Sequence, residues 1–293
     1  MRLGLQIADF AWRGGAAATA ETLAGIARTA EDAGFDLIGV ADHLWQVSHL
    51  GGPEQPELEC FTALAVLAAQ TRRCRLTPLV AAVHLRQPAL LAKMVTTLDV
   101  LSAGRAMLGI GAGWYAEEAH GLGVPFPPLG ARFGMLEETI QICLRMWSGE
   151  QGDERPFRGT YYQLERPLNV PQSLSRPHPP LMIGGSGAQK TLRLVARYAD
   201  ACNLYPTPDL PEKLAILRQH CATEGRDEGT IEKTCTVHFG IGADGAGVDA
   251  TAAELRRLAD LGIQTAIGIV RGPDPIRIVD IVGREILPAV ADA

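Results

Sequence analysis

Short apolar runs that read as strands alternate eight times along the chain with longer runs whose apolar residues recur at helical spacing. Leu3 to Ile7 reads as the first strand. Thr19 to Ala33 reads as the first helix, with Leu23, Ile26, Ala27 and Ala30 on one stripe and Gly34 as its stop. The second strand, Asp36 to Ala41, is almost continuously apolar, as expected of a strand buried on both faces. The same rhythm predicts helix two over about Leu58 to Thr71, strand three over Leu76 to Val83 and helix three from Pro88, a favoured first-turn residue, to Leu101. Strand four then spans Ala106 to Ile110. A short helical piece runs from Trp114 to Leu122, and helix four covers about Ala131 to Trp147. Beyond it come strand five (Leu181 to Gly184), helix five (about Gln189 to Tyr198), strand six (Ala199 to Asn203) and helix six (about Leu210 to Glu224). Strand seven (Cys235 to Phe239), helix seven (about Thr251 to Leu261), strand eight (Thr265 to Ile269) and a last helix (about Asp274 to Val290) complete the series.

This alternation predicts an α/β fold of the parallel (β/α)8, or TIM, barrel type, with residues 1–293 forming one domain. Chains of this length fold as single units in that architecture. Residues 149–179 break the rhythm. They are rich in Gly, Pro and Arg, and Tyr161 to Leu164 reads as a short hairpin strand. The segment holds too few apolar residues for a core of its own, so it is expected to be an insertion between helix four and strand five. The loop from Leu44 to Glu57 is long and contains Gly51, Gly52, Pro53 and Pro56, a length often associated with function.

Bulk properties narrow the partners. With 47% hydrophobic and 20% charged residues, the chain can bury a large core. Its 27 basic and 33 acidic residues give a net charge of −6, which argues against nucleic acid or an anionic membrane as the main partner. No apolar run approaches the roughly 18 residues of a membrane span, and the start of the chain lacks a signal core, so a cytoplasmic location is expected. The six cysteines form no CxxC pair and read as small buried hydrophobes in a reducing compartment.

In such a barrel the chemistry gathers where strands run out into the following loops, and the unusual residues of this chain lie there. Asp42-His43 follows strand two. His43 is suited to proton exchange near neutral pH with Asp42 orienting a ring or backbone group, or it merely caps its loop. Gly111-Ala112-Gly113, after strand four, either lets a ligand approach the backbone or makes a tight turn. Gly184-Gly185-Ser186-Gly187 directly follows strand five and precedes a helix expected from about Gln189. It therefore reads as an anion site built of free N–H groups, with Lys190 and Arg193 either adding charge or simply solvated. Gln6, Asp9, Asn203 and Tyr205 are polar groups at strand ends that either orient a ligand or satisfy neighbouring backbone. Trp12, Trp45 and Trp114 stack on a flat heterocycle or pack under loops, and loop capping is the expectation for His84. There is no metal cluster of recognisable spacing, no GxSxG elbow and no P-loop lysine. Carboxylates are scarce at the strand ends, so a flat, phosphate-bearing organic cofactor fits better than metal or serine hydrolysis.

These residues together resemble the luciferase-like monooxygenase superfamily, in particular its coenzyme F420 (deazaflavin)-dependent oxidoreductases. The resemblance spans nearly the whole chain. It is carried by Met1 to Gln6, Glu31 to Asp36, Ala41-Asp42-His43, Arg86 to Lys93, Thr97 to Arg105 with Gly111 to Trp114, Ile183 to Gly187, and Ala199 to Asn203. It implies a barrel whose strand C-terminal ends hold F420, or FMN in sister groups. A bulge with a non-proline cis peptide after strand three backs the ring, here at Leu79-Val80. The resemblance places the cofactor phosphate on Gly184, Gly185, Ser186 and Gly187 and the tail near Gly111 and Ala112. Asp42, Leu79, Val80, Ala82, Gly113 and Asn203 complete the cofactor site, and Gln6, Trp45 and Trp114 border the substrate. His43 matches a histidine beside the ring that acts as base in sugar-oxidising members. Those members carry a glutamate just after the strand-four glycines, where this chain has Trp114, a departure that argues against sugar-alcohol oxidation. The expected activity is hydride transfer between the deazaflavin C5 and a small organic substrate. The alternatives are an FMN-dependent monooxygenase using O2 and a non-catalytic flavin-binding barrel. A homodimer is also implied.

Overall fold

The computed structural model describes residues 1–292. Its main sheet runs β3-β2-β1-β11-β10-β9-β8-β5-β4, every pair parallel. The strands are β1 (Arg2–Ile7), β2 (Leu37–Val40), β3 (Arg75–Pro78), β4 (Ala81–Ala82), β5 (Leu108–Gly111), β8 (Leu181–Gly184), β9 (Ala201–Leu204), β10 (Glu232–His238) and β11 (Thr265–Ile269). An added bridge between Leu76 and Ala106 joins β3 to the lead-in of β5, so the sheet closes on itself. The two outermost names in the sheet order, β3 and β4, are the halves of the single third strand that the sequence predicts over Leu76 to Val83. A cis peptide between Leu79 and Val80 separates them. The architecture is therefore the expected (β/α)8 barrel.

The outer ring consists of α1 (Thr19–Ala33), α2 (Cys60–Gln70), α3 (Pro88–Leu101), α4 (Ala116–Gly121), α5 (Leu129–Met146), α6 (Thr191–Tyr198), α7 (Leu210–Glu224), α8 (Val248–Asp260), α9 (Pro275–Ile281) and α10 (Leu287–Val290). The predicted stripe of α1 is the buried one: Leu23, Ile26, Ala27 and Ala30. Gly34 closes it in the left-handed conformation, with φ 94°. Two predicted helices differ. Helix five begins at Thr191, not near Gln189, which leaves Ser186 to Lys190 as loop. The last helix is not continuous: a π turn over Val282–Ile286 separates α9 from α10. Pro288 lacks the N–H that an unbroken ladder needs there.

Opposite the strand C-terminal ends, the barrel floor is sealed by charge. Arg75 reaches Glu232 through both terminal nitrogens (2.8 and 3.0 Å) and also pairs with Asp36. Arg2 and Thr265 donate to the same Glu232 oxygen at 2.8 and 2.6 Å. Burial opposes the charge on Glu232, but Arg75 outweighs it and holds the carboxyl below its ordinary range. The six cysteines are all buried and unpaired, as the sequence suggests, and burial pushes the Cys74, Cys202 and Cys235 thiols up to about 12.

The segment between α5 and β8 carries the antiparallel pair β6 (Phe157–Arg158) and β7 (Gln163–Leu164), the expected hairpin. It is tied to α3 by buried polar groups. Asp99 accepts the N–H groups of Leu174 and Ser175 (2.6 and 2.9 Å) and the Ser175 hydroxyl (2.7 Å). Asn169 donates to Thr96 at 3.0 Å. Replacing Asp99 with Ala removes the carboxylate that three part-buried donors share, and is expected to cost about 1–2 kcal/mol in chemical denaturation. An unchanged midpoint would show that the segment is held by other contacts.

Candidate active site

The C-terminal end of the barrel is organised around Val80. Its side chain fills space where glycines of neighbouring strands have none. A Cβ on Gly111 would lie 3.0 Å from Val80 Cγ2, and one on Gly184 would lie 2.9 Å from Cγ1. A Cβ on Gly109 would meet the Pro78 carbonyl at 2.1 Å. The glycines at 111 and 184 are thus explained by contact with this protein's own side chain, a reason the sequence does not show.

Around this seat the loops are held by charge. Asp42 is buried; it accepts the N–H of Ala82 (3.0 Å) and both terminal nitrogens of Arg86 (2.7 and 2.9 Å). Arg86 also reaches Glu59, the N-cap of α2, at 2.7 Å. The Asp42 oxygens are therefore committed to joining β2, β4 and α2. Its neighbour His43 has a side chain 18% exposed. The ring lies edge-on to Trp114 (5.5 Å between centroids) and Tyr115 (5.7 Å), which stack on each other at 5.1 Å. Nδ1 of His43 is 3.5 Å from Oε1 of Glu118 on α4. Glu118 is 1% exposed and accepts the N–H groups of Leu44 and Trp45 (2.5 and 2.9 Å). Burial opposes its charge, but His43 and those two N–H groups prevail and hold its carboxyl below the ordinary range. Glu118 is a buried residue of this rim that the sequence reading passes over. The available signal was the pair Glu117-Glu118 in a six-residue helix, where one member must turn inward.

The remaining predicted residues fall at the same rim but not all in the predicted roles. Gln6 donates to the Leu79 carbonyl at 3.3 Å, and its Oε1 is buried without a partner. The Ser186 hydroxyl is likewise buried and unpartnered. Gly185 does not offer a free N–H: it donates to the Asn203 carbonyl at 3.0 Å. The N–H groups of residues 186–190 reach no protein acceptor among the described residues. The Asn203 side chain is engaged by Thr234 and Thr236 of β10, at 2.9 Å each. Trp12 is buried against Phe10, Trp45 packs on Gly121 of α4, and Trp114 is 60% exposed. His84 does not cap a loop. Both ring nitrogens are buried and unpartnered, and the ring lies beneath Gly113 and edge-on to Phe126 at 4.9 Å. Burial, then Arg132, pushes its pKa down.

A sequence profile of the luciferase-like monooxygenase family matches residues 1–272. The chain belongs to that family. It is accordingly an enzyme of the luciferase-like superfamily. An F420-dependent glucose-6-phosphate dehydrogenase of Kineococcus radiotolerans is 33% identical over 233 residues, 76% of this chain and 65% of that protein. Among solved structures, a monooxygenase of Streptomyces bottropensis superposes with TM-score 0.83 at 19% identity, covering 98% of this chain and 99% of that one. An F420-dependent secondary alcohol dehydrogenase in complex with an F420–acetone adduct gives 0.81 at 18% identity, covering 99% and 98%. At those identities the likeness speaks for the fold.

In this luciferase-like barrel, then, strands β1, β2, β4, β5 and β8 bring Gln6, His43, His84, Trp114 and Ser186 to one end, where buried polar atoms lack protein partners. Glu118 ties that end together. Changing Glu118 to Ala leaves the Leu44 and Trp45 N–H groups without an acceptor. The expected loss is about 2–3 kcal/mol in denaturation, with faster proteolysis of the 44–57 loop. Wild-type stability and protease resistance would contradict this.

Proposed function

We propose that the chain is a deazaflavin-dependent oxidoreductase that moves a hydride between C5 of coenzyme F420 and a small organic substrate. The observation that carries this reading is the set of buried, unpartnered polar atoms beyond the strand C-terminal ends: Gln6 Oε1, Ser186 Oγ and both nitrogens of His84. Buried polar groups in a folded protein are nearly always paired, so a rim of orphans fits a polar, flat ligand. The family and the F420-dependent relative support the choice of ligand.

The residues present fit such a group. Val80, with Leu79 and Ala82, would back its ring. The 186–190 N–H groups would take its phosphate, next to the positive end of α6. Gly111, Ala112 and Gly113, at the exit of β5, would border its tail. Asp42 acts through Arg86 and the Ala82 N–H by fixing the bulge, not by touching the ligand. When bound, the deazaflavin supplies or accepts the hydride. The protein's own part is positioning and proton handling. A carboxylate beside Nδ1 of His43 keeps the proton on that nitrogen, so Nε2 is left as the acceptor. Trp114 and Tyr115 hold the ring upright from the side. The sugar phosphate of the relative is not carried across, because Trp114 stands where sugar-oxidising members have a glutamate. A homodimer belongs to this proposal as a family expectation.

The test is a titration with F420 and, separately, FMN, followed by ring fluorescence. Saturable F420 binding with no comparable FMN binding is expected. His43→Ala should keep that affinity and lower hydride transfer by about 100-fold or more. Preference for FMN, with O2 consumption by the reduced flavin, would favour a monooxygenase instead.

A further inference from the structure

Helix α5 opens directly after the run Pro125-Phe126-Pro127-Pro128, and Arg132 is its fourth residue. Arg132 is 7% exposed. Its guanidinium donates through Nε to the carbonyl of Ala112, just past the end of β5, at 3.1 Å. Through Nη1 it donates to the Pro127 carbonyl at 2.6 Å. Both acceptors are neutral. Among the described residues Nη2 has no acceptor, and no carboxylate forms an ion pair with Arg132. Burial alone acts on the guanidinium, pushing its pKa down, with no acid to offset it.

A buried charge is ordinarily paired, and a cation near a helix N-terminus adds to the partial positive charge already there. Here nothing on α5 compensates: its first turn has no acidic residue, and Pro128 gives no side-chain cap. The two hydrogen bonds tie the loop after β5 to α5, but they leave the positive charge unmatched. This place is continuous with the barrel-end site. Ala112 lies between Gly111, which abuts Val80, and Gly113, which lies over His84. The guanidinium sits over the Phe126 ring, 3.8 Å from its centroid, and the His84 ring meets the same Phe126 edge-on at 4.9 Å. Phe126 thus fixes the plane of the arginine fork, a geometry suited to carboxylate or phosphate. Beside it, both nitrogens of His84 are buried and unpartnered.

We propose that Arg132 anchors an anionic group of the ligand's tether, a carboxylate or a phosphate, at the exit of β5. This rests on the deazaflavin reading above. It supplies what the glycines of that exit lack, a full positive charge. Nη2 is the free donor, so an anion can be taken up with the bonds to Ala112 and Pro127 left in place.

The experiment compares the full chain with its Arg132→Gln and Arg132→Lys variants by fluorescence titration. The three probes are F420, its ring-and-ribityl fragment carrying phosphate alone, and the same fragment with no tether. The wild type should bind F420 more tightly than the untethered fragment. Arg132→Gln should bind F420 about 10- to 100-fold more weakly than the wild type, and the untethered fragment equally well, which also shows that it folds. Arg132→Lys, which keeps the charge but loses the fork, should fall between the two. A loss already present with the phosphorylated fragment assigns the anion as phosphate, and a loss confined to F420 assigns it as a tail carboxylate. Equal loss for all three probes would overturn the anchor, leaving Arg132 as a loop support. Unchanged F420 affinity in Arg132→Gln, or a wild type that binds F420 and the untethered fragment alike, would overturn it as well. A wild type that binds none of the probes would instead remove the deazaflavin reading on which the anchor rests.

Discussion

The site depends on one close contact: the side chain of Val80 lodged against glycines of two neighbouring strands. Gly111 and Gly184 have no Cβ at the points where Val80 needs space, and Gly109 yields to the carbonyl of Pro78. A parallel barrel whose strands all carried side chains here would close over its centre. Because these positions are bare, the third strand can be broken into β3 and β4, and its pairing shifts by one residue between Leu76–Ala106 and Ala81–Ile110. Asp42 then holds the second half in place by accepting the Ala82 N–H. Packing and a buried ion pair therefore cooperate to present one apolar bump at the mouth of the barrel.

The two ends of the barrel treat polar groups differently. At the floor, Arg2, Asp36, Arg75, Glu232 and Thr265 satisfy one another, and their interactions serve the fold. At the mouth, Gln6, His84 and Ser186 keep buried atoms unpaired. An unmade buried hydrogen bond costs about 1–3 kcal/mol, so the mouth carries a deficit that a polar ligand would relieve. Stability concentrated at one face and chemistry at the other is the usual division in this architecture.

Much of this was legible in the residue pattern, for identifiable reasons. Helix α3 was read to its boundaries because Pro88 opens it and Ser102-Ala103-Gly104 ends it. Helix α7 and strands β8 and β11 were equally plain. The break in the third strand was not visible in the alternation, which carries Leu76 to Val83 as one run through Thr77 and Pro78; only family resemblance placed it at Leu79-Val80. The glycines were noticed but assigned to a ligand, because a sequence does not reveal which side chain will occupy the space beside a missing Cβ. Glu118 was passed over because an acidic residue in a short helix normally faces water. Its position comes from burial by distant elements, which composition does not encode. His84 was read as a cap because capping is common near loops, yet its ring lies beneath Gly113.

The sealed thiols have a separate consequence. Each cysteine is buried and unpaired, and the protonated thiol is a poor nucleophile. An enzyme that handles electrons is thereby insulated from its own sulfur: oxidants and alkylating reagents find no reactive thiolate on the native surface. These thiols become accessible only when strands and helices separate, so their covalent labelling counts excursions out of the folded state. The molecule carries a built-in record of its own opening.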